Sequence, residues 1–344
     1  MNLEPTGVVE QVRAAVGEGG LLRSGRPLVA MLSGGRDSVC LLDVAVALCG
    51  AGQLRALHVN YGLRDAAAGD ERHCAALCER LGVELSVVHA AGGERAGRGG
   101  PEQGNLQAWA RELRYEAAER LAAQLGEETV FATGHTASDQ VETILYRLAA
   151  SPGRRALMGM ASAEGRLVRP LLGLARERTA AYCLERGLGW RDDESNEDER
   201  FARARVRARV VPALRSVHPA AEGNVLRTAL LLREETELLD ALVAAELGEP
   251  PTPGAPREIE LARLAELPSA LARMVVVRLA EDAAGTYVPQ AGERVRELLA
   301  LGRRGGRAEL HVGGRAGAVI EHGVLRMRRL PPRESPRETP PDGD

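Results

Sequence analysis

The sequence contains no lysine, so all 45 of its basic residues are arginine. That absence excludes a Walker-type phosphate loop, which needs Gly-Lys before its Ser or Thr. It also excludes pyridoxal and lysyl-adenylate chemistry, both of which need a lysine nucleophile. Phenylalanine occurs only twice, and isoleucine is scarce as well. The shortage is therefore read as compositional, and no function is attached to it. Five cysteines are odd in number and scattered. Cys74 and Cys78 lie four apart on a predicted helix, but no second pair offers metal-ligand spacing, which favours buried structural roles. No apolar run approaches the roughly 20 residues of a membrane-spanning helix. The start, MNLEPTGVVEQVR, lacks the basic-then-apolar order of a signal peptide. The expectation is a cytoplasmic protein without a membrane partner. A net charge of −3 argues against a chain that is basic overall, so any nucleic acid must be held by local patches.

What is present is enough apolar content, 44% of 344 residues, for one large or two medium domains. Short apolar runs alternate with longer helical patterns from 27 to 150: PLVAMLS, then 38–49; LRALHVN, then 70–81; VELSVVHA, then 105–125; TVFATG, then 137–149. This order predicts an α/β fold with a doubly wound parallel sheet, because unbroken apolar strands are those covered on both faces. The glycine-rich 91–104 reads as a mobile loop. LVRPLLGLAR reads as a short strand leading to a helix, and the acidic 191–200 precedes an arginine run. The expected division is a catalytic domain over 1–218, a smaller, mainly helical domain over 219–330 ending in a hairpin within 308–330, and a disordered, proline-rich tail over 331–344.

The strongest chemical signal is Ser33-Gly34-Gly35-Arg36-Asp37-Ser38, between the first strand and its helix. Two glycines allow a tight turn, a helix start offers unpaired N–H groups, and two hydroxyls add donors, all suited to phosphate. A lone carboxylate there would repel phosphate unless a cation intervened, which points Asp37 toward Mg²⁺. The competing reading is an ordinary strand-to-helix turn with an N-cap.

This string resembles the signature Ser-Gly-Gly-x-Asp-Ser of the PP-loop ATP pyrophosphatases. Three further segments are similar to the lysidine synthases within that group. They are Asn105 to Tyr115 (NLQAWARELRY); Thr133-Gly134-His135 with Asp139-Gln140-Val141-Glu142-Thr143; and Ser195-Asn196 followed by Arg203, Arg207 and Pro212. Some positions depart from the family pattern. Asn60 and Tyr61 stand where Asp and His are usual, Ser138 where Asp is common, Ala204 where Asn is usual, and Ala150-Ser151-Pro152-Gly153 replaces Arg-Gly-Ser-Gly.

The resemblance implies ATP bound by Ser33 to Ser38, with Mg²⁺ on Asp37. It also implies an isoleucine tRNA with a CAU anticodon and free lysine as partners. The wobble cytidine would be adenylated and then joined to lysine, giving lysidine and releasing pyrophosphate and AMP. A homodimer is compatible with the sequence. Asp139 and Glu142, three apart, share one helical face, and the resemblance implies that they bind the lysine. His135 would orient substrate or move a proton. Alternatively, Asp139 caps its helix, Glu142 pairs with Arg147, and His135 is a satisfied strand-end residue. Arg111 and Arg114 also share a face. Arg114 is a candidate to steady charge on phosphorus and Arg111 to contact tRNA, or both form surface pairs with Glu112 and Glu116. On a helix Arg203 and Arg207 form one stripe and are candidate tRNA contacts, with Arg205 and Arg209 nearly opposite. The rival readings are a PP-loop tRNA thiolase, which would need reactive cysteines, and a non-catalytic nucleotide- or RNA-binding module.

Overall fold

A computed structural model describes residues 7–62, 67–90, 106–151, 153–191, 200–249 and 256–331. The expected 91–104 loop, the Ser195-Asn196 pair, most of the acidic stretch and nearly all of the expected disordered tail lie outside the described residues. Six strands, β1 Leu28–Met31, β2 Leu54–Asn60, β3 Glu84–His89, β4 Val130–Ala132, β5 Ala163–Glu164 and β6 Leu167–Val168, form one sheet in the order β3-β2-β1-β4-β6-β5. All of its pairings are parallel except β5 with β6.

The apolar strands behave as two-faced elements. Leu28 and Ala30 of β1, Leu54 and Ala56 of β2, and Val130 and Ala132 of β4 face one core, shared with the Val8–Glu18, Arg36–Cys49, Ala67–Leu81 and Arg176–Glu185 helices. Their neighbours Val29, Met31, Leu57, Val59 and Phe131 face a second core, built on Trp109, Leu113, Ala117 and Ala118 of the Leu106–Leu125 helix. Burial on both faces is why hydrophobicity runs through these strands instead of alternating. The chain winds outward from β1 to β3 and then returns to β4 on the other side of β1. The strand ends of β1 and β4 therefore form the switch-point crevice where ligands bind in such sheets.

The chain divides into two compact units, Met1–Leu232 and Arg233–Asp344, a division falling inside the Ala221–Leu247 helix. Val225 and Leu226, which lie beyond the expected division at 218, pack with Val141, Val206 and Val211 of the first unit. The run Ala202–Arg205, Val206–Val210, Val211–Val217 is helical, and its middle segment is a π-helix. In the second unit, β7 Glu258–Glu260 joins β8 Ala308–Gly313, β9 Ala316–Glu321 and β10 Val324–Arg329 in an antiparallel sheet of order β7-β10-β9-β8. Its apolar face shares a core with the Ser269–Ala284 and Val295–Arg303 helices. The hairpin expected within 308–330 is thus three strands, extended by a fourth from a segment expected to be helical. Three residues with one buried side chain, Ile259, are too few to show period-two alternation.

Candidate functional site

The loop after β1 is held by its own hydroxyls. Ser38 Oγ donates to the Gly35 carbonyl (2.7 Å) and accepts from the Ser33 N–H (3.2 Å), while the Gly35 N–H donates to Ser33 Oγ (3.3 Å). Gly34 has φ +85°, and a Cβ there would lie 3.3 Å from Cys74 Sγ, so only glycine suits this turn. The Arg36–Cys49 helix begins at Gly35 with no capping side chain. With the Ser38 and Val39 N–H groups donating to the Gly35 carbonyl, it is the Arg36 and Asp37 N–H groups of the first turn that no capping side chain takes and that an anion could meet.

Asp37 accepts from Thr179 Oγ1 and from Arg36 Nε (3.3 Å), and Arg176 Nε lies 3.7 Å from its other oxygen. The β4 end touches the same turn. A Cβ on Gly134 would come within 2.9 Å of the Asp37 carbonyl carbon, so the two crevice walls meet at bare backbone.

Beyond β4, Thr136 and Asp139 form a reciprocal capping box at the start of the Ala137–Ala150 helix. Asp139 therefore does cap its helix, yet its other oxygen faces the crevice and accepts from Arg176 Nη2 at 2.8 Å. Glu142 is nearly buried and does not pair with Arg147, which donates to the Gly159 carbonyl. It instead takes a fork from Arg207, Nε at 2.6 Å and Nη2 at 2.9 Å, with Arg176 Nη1 at 3.4 Å. Burial works against the Asp139 carboxylate, but Arg176 and the Thr136 N–H and hydroxyl outweigh it and hold its pKa below the usual value.

His135 shares a hydrogen bond with Thr133 Oγ1 (2.7 Å). Burial pushes its pKa down to about 4; Asp139 opposes this, while Arg169, Arg111 and Arg114 reinforce it. Arg111 stacks over Tyr115, its Cζ 4.6 Å from the ring centroid, and lies in the fields of Arg203, Arg114 and Arg169. Among the described residues, neither Arg111 nor Arg114 has a carboxylate within ion-pair reach. The crevice thus gathers three carboxylates, Asp37 on the loop side and Asp139 and Glu142 beyond β4, which share the guanidiniums of Arg176 and Arg207, while Arg169, Arg111 and Arg114 act on His135.

Arg203 and Arg207 both reach the Ala137–Ala150 helix, Arg203 donating to Thr143 Oγ1, whereas Arg205 turns to the Arg200 carbonyl. Sequence reasoning missed Arg176 and Thr179, which reach the site from a helix with no local motif. Asn60 donates to Glu71 (2.8 Å), which also meets His89 (2.9 Å). Tyr61 donates to the Ala110 carbonyl and packs on Trp109. Ser138 accepts from the Arg176 N–H (3.4 Å), and Ala204 is buried. All five cysteines are buried, and burial raises the Cys74 and Cys78 thiols to about 12 and about 11.

Residues 7–214 match the PP-loop domain family. The chain is 39% identical to the tRNA(Ile)-lysidine synthase of Pseudomonas aeruginosa over 224 residues, covering 62% of this chain and 48% of that one. It is 34% identical to the tRNA(Ile)-lysidine synthase of Symbiobacterium thermophilum over 347 residues, covering 96% of this chain and 70% of that one. The corresponding figures for the Geobacter sulfurreducens tRNA(Ile)-lysidine synthase are 37%, 70% and 51%. The chain thus spans about half the length of two of these relatives. Among solved structures, the U34-tRNA thiolase NcsA from Methanococcus maripaludis with its 4Fe-4S cluster aligns at TM-score 0.54 and 16% identity, covering 66% of this chain and 79% of that one. This is a likeness of fold.

Proposed function

The chain belongs to the tRNA(Ile)-lysidine synthase family of PP-loop proteins, and from that premise we propose that it joins free lysine to the wobble cytidine of an isoleucine tRNA with a CAU anticodon. The ring carbonyl oxygen of the cytidine attacks the α-phosphorus of ATP and pyrophosphate leaves. Lysine's side-chain amine then attacks the adenylated carbon, loses a proton, and AMP departs. The observation that carries the reading is the placement of a phosphate-type loop and a carboxylate pair, Glu142 buried and Asp139 partly so, on either side of one crevice. Proximity of a trapped adenylate to a bound amine accounts for much of the second step.

In this reading the loop N–H groups and the Ser33 and Ser38 hydroxyls hold phosphate, and Arg114 steadies charge on phosphorus. Asp139 and Glu142 bind the lysine ammonium, and Arg111, Arg203 and Arg207 meet RNA phosphate. Neutral His135 orients substrate. Among the described residues no three acidic, histidine or cysteine side chains converge as a metal site. Asp37 alone, with substrate phosphates, is the donor set usual for Mg²⁺, which would offset phosphate charge there. The protein is proposed to act in the cytoplasm, with a homodimer allowed, and no helix of the described residues is long and apolar enough to cross a membrane. Buried cysteines give no support to thiolase chemistry.

The test is transfer of labelled lysine to total tRNA with ATP. ATP-dependent label in the tRNA is expected, and pyrophosphate release without lysine transfer would sink the reading. Glu142→Gln and Asp139→Asn should still form the tRNA adenylate but raise the lysine KM by the equivalent of about 2 kcal/mol.

A further inference from the structure

Among the described residues, Arg176 is the side chain whose ion pairs reach all three crevice carboxylates: Asp139 at 2.8 Å, Glu142 at 3.4 Å and Asp37 at 3.7 Å. A planar guanidinium cannot fork onto three separate carboxylates, and two of these contacts exceed the roughly 2.7–2.9 Å of a good charge-assisted bond. Its backbone is fixed by contrast. The Arg176 N–H donates to Ser138 Oγ, and three residues on, Thr179 bonds Asp37. The head group is therefore shared and loosely satisfied, on a rigid base, between the phosphate loop and the carboxylate pair.

We propose that Arg176 is a positioning residue that couples the two halves of the site. It occupies Asp139 and Glu142 until nucleotide phosphate at the loop draws its guanidinium away, so that ATP strengthens lysine binding. The proposal rests on the reading of Asp139 and Glu142 as the lysine site. A phosphate arriving at the helix start comes beside Asp37, on the Nε side of Arg176, and offers the bidentate anion that a guanidinium prefers. Once the guanidinium leaves, Asp139 has lost its closest cation, Arg207 remaining forked on Glu142 and 3.7 Å from Asp139, and the pair gains affinity for an ammonium. Lysine arriving first must compete with Arg176 for Asp139; lysine arriving second meets only the more distant Arg207 there. This favours the order the chemistry needs, adenylation before amine attack.

The experiment is calorimetric titration of the full chain with lysine, with and without an ATP analogue carrying a methylene bridge between the α- and β-phosphorus. In the wild type the analogue should tighten lysine binding by ~10-fold or more, within the usual range of coupling between sites. In Arg176→Gln the two affinities should converge, chiefly because binding without the analogue improves; Arg176→Lys, which keeps the charge in case the neutral variant folds poorly, should retain part of the ratio. A wild-type ratio near one overturns the proposal. So does a ratio that survives in Arg176→Gln while lysine affinity falls in Glu142→Gln, and in that case the lysine site stands. Lysine affinity unmoved by Glu142→Gln overturns the lysine site and the coupling with it.

Discussion

His135 and Gly134, adjacent in the chain, bring opposite things to the end of β4, one an imidazole and the other the lack of a side chain. The His135 imidazole has a pKa lowered to about 4, first by burial and then by three arginines, whereas the unfolded chain keeps a value of about 6.5. The folded state therefore binds fewer protons between those values. The stability tied to this group is whole above about pH 6.5 and declines as pH falls toward 4. Titration of the imidazole by NMR should give a midpoint near 4, and His135→Asn should remove that part of the acid sensitivity. A midpoint near 6 would refute the account. Neutral at physiological pH, His135 suits hydrogen bonding to substrate better than carrying charge. Gly134→Ala would press a methyl against the Asp37 carbonyl carbon and oxygen at 2.9 Å. Because backbone cannot swing aside, a stability loss of ~1–3 kcal/mol and weakened ATP binding are expected, measured by urea unfolding and nucleotide titration.

The helices that carry the site are fastened by a polar seam that the sequence does not advertise. Asp43, in the same helix as Asp37, is buried and takes Arg186 Nε and Nη2, both at 3.0 Å, together with the Tyr182 hydroxyl and Arg13. Tyr182 and Arg186 belong to the segment that brings Arg176 and Thr179 to Asp37, so one seam sets the register of both. Burial opposes the Asp43 carboxylate, but these partners outweigh it and lower its pKa. Its stabilisation is present above the ordinary carboxylate range of about 3.9 and is lost as pH falls below it. Asp43→Ala should cost about 3 kcal/mol, the lower end for a broken buried pair because both arginines are partly exposed. Asp43→Asn should flatten the acid limb of stability; an unchanged urea midpoint in both variants would contradict this. The legibility of each element followed from the range of its cause. Ser33 to Ser38, the strands β1 to β4 and the stripe of Arg203 with Arg207 are set by spacing within a few residues. The Arg207 fork on Glu142 and the reach of Arg176 join residues dozens of positions apart, which no local pattern records.

For the molecule as a whole, the first unit contains every described group of the crevice, and the second has its own core. A chain ending at Leu232 keeps Val225 and Leu226 over Val141, and should bind ATP as the full chain does. If the second unit grips the tRNA body through its arginines, the shortened chain should lose tRNA affinity and show a shallower salt dependence. Equal tRNA affinity at fixed salt would exclude that role. The second unit was the less legible of the two because its sheet is closed by β7 from before the Ser269–Ala284 helix, and short edge strands carry little pattern.

Val206 and Val211 pack in one cluster with Val141, yet at 3.6 residues per turn side chains five apart would diverge by about 140°. The wider turn of Val206–Val210 absorbs that divergence, with exposed Ala208 as the surplus residue. Removing Ala208 would leave the two valines four apart, where an ordinary α-helix puts both on one face. Internal deletions in helices usually unseat everything downstream, but this one should be accepted, with a melting temperature close to that of the full chain.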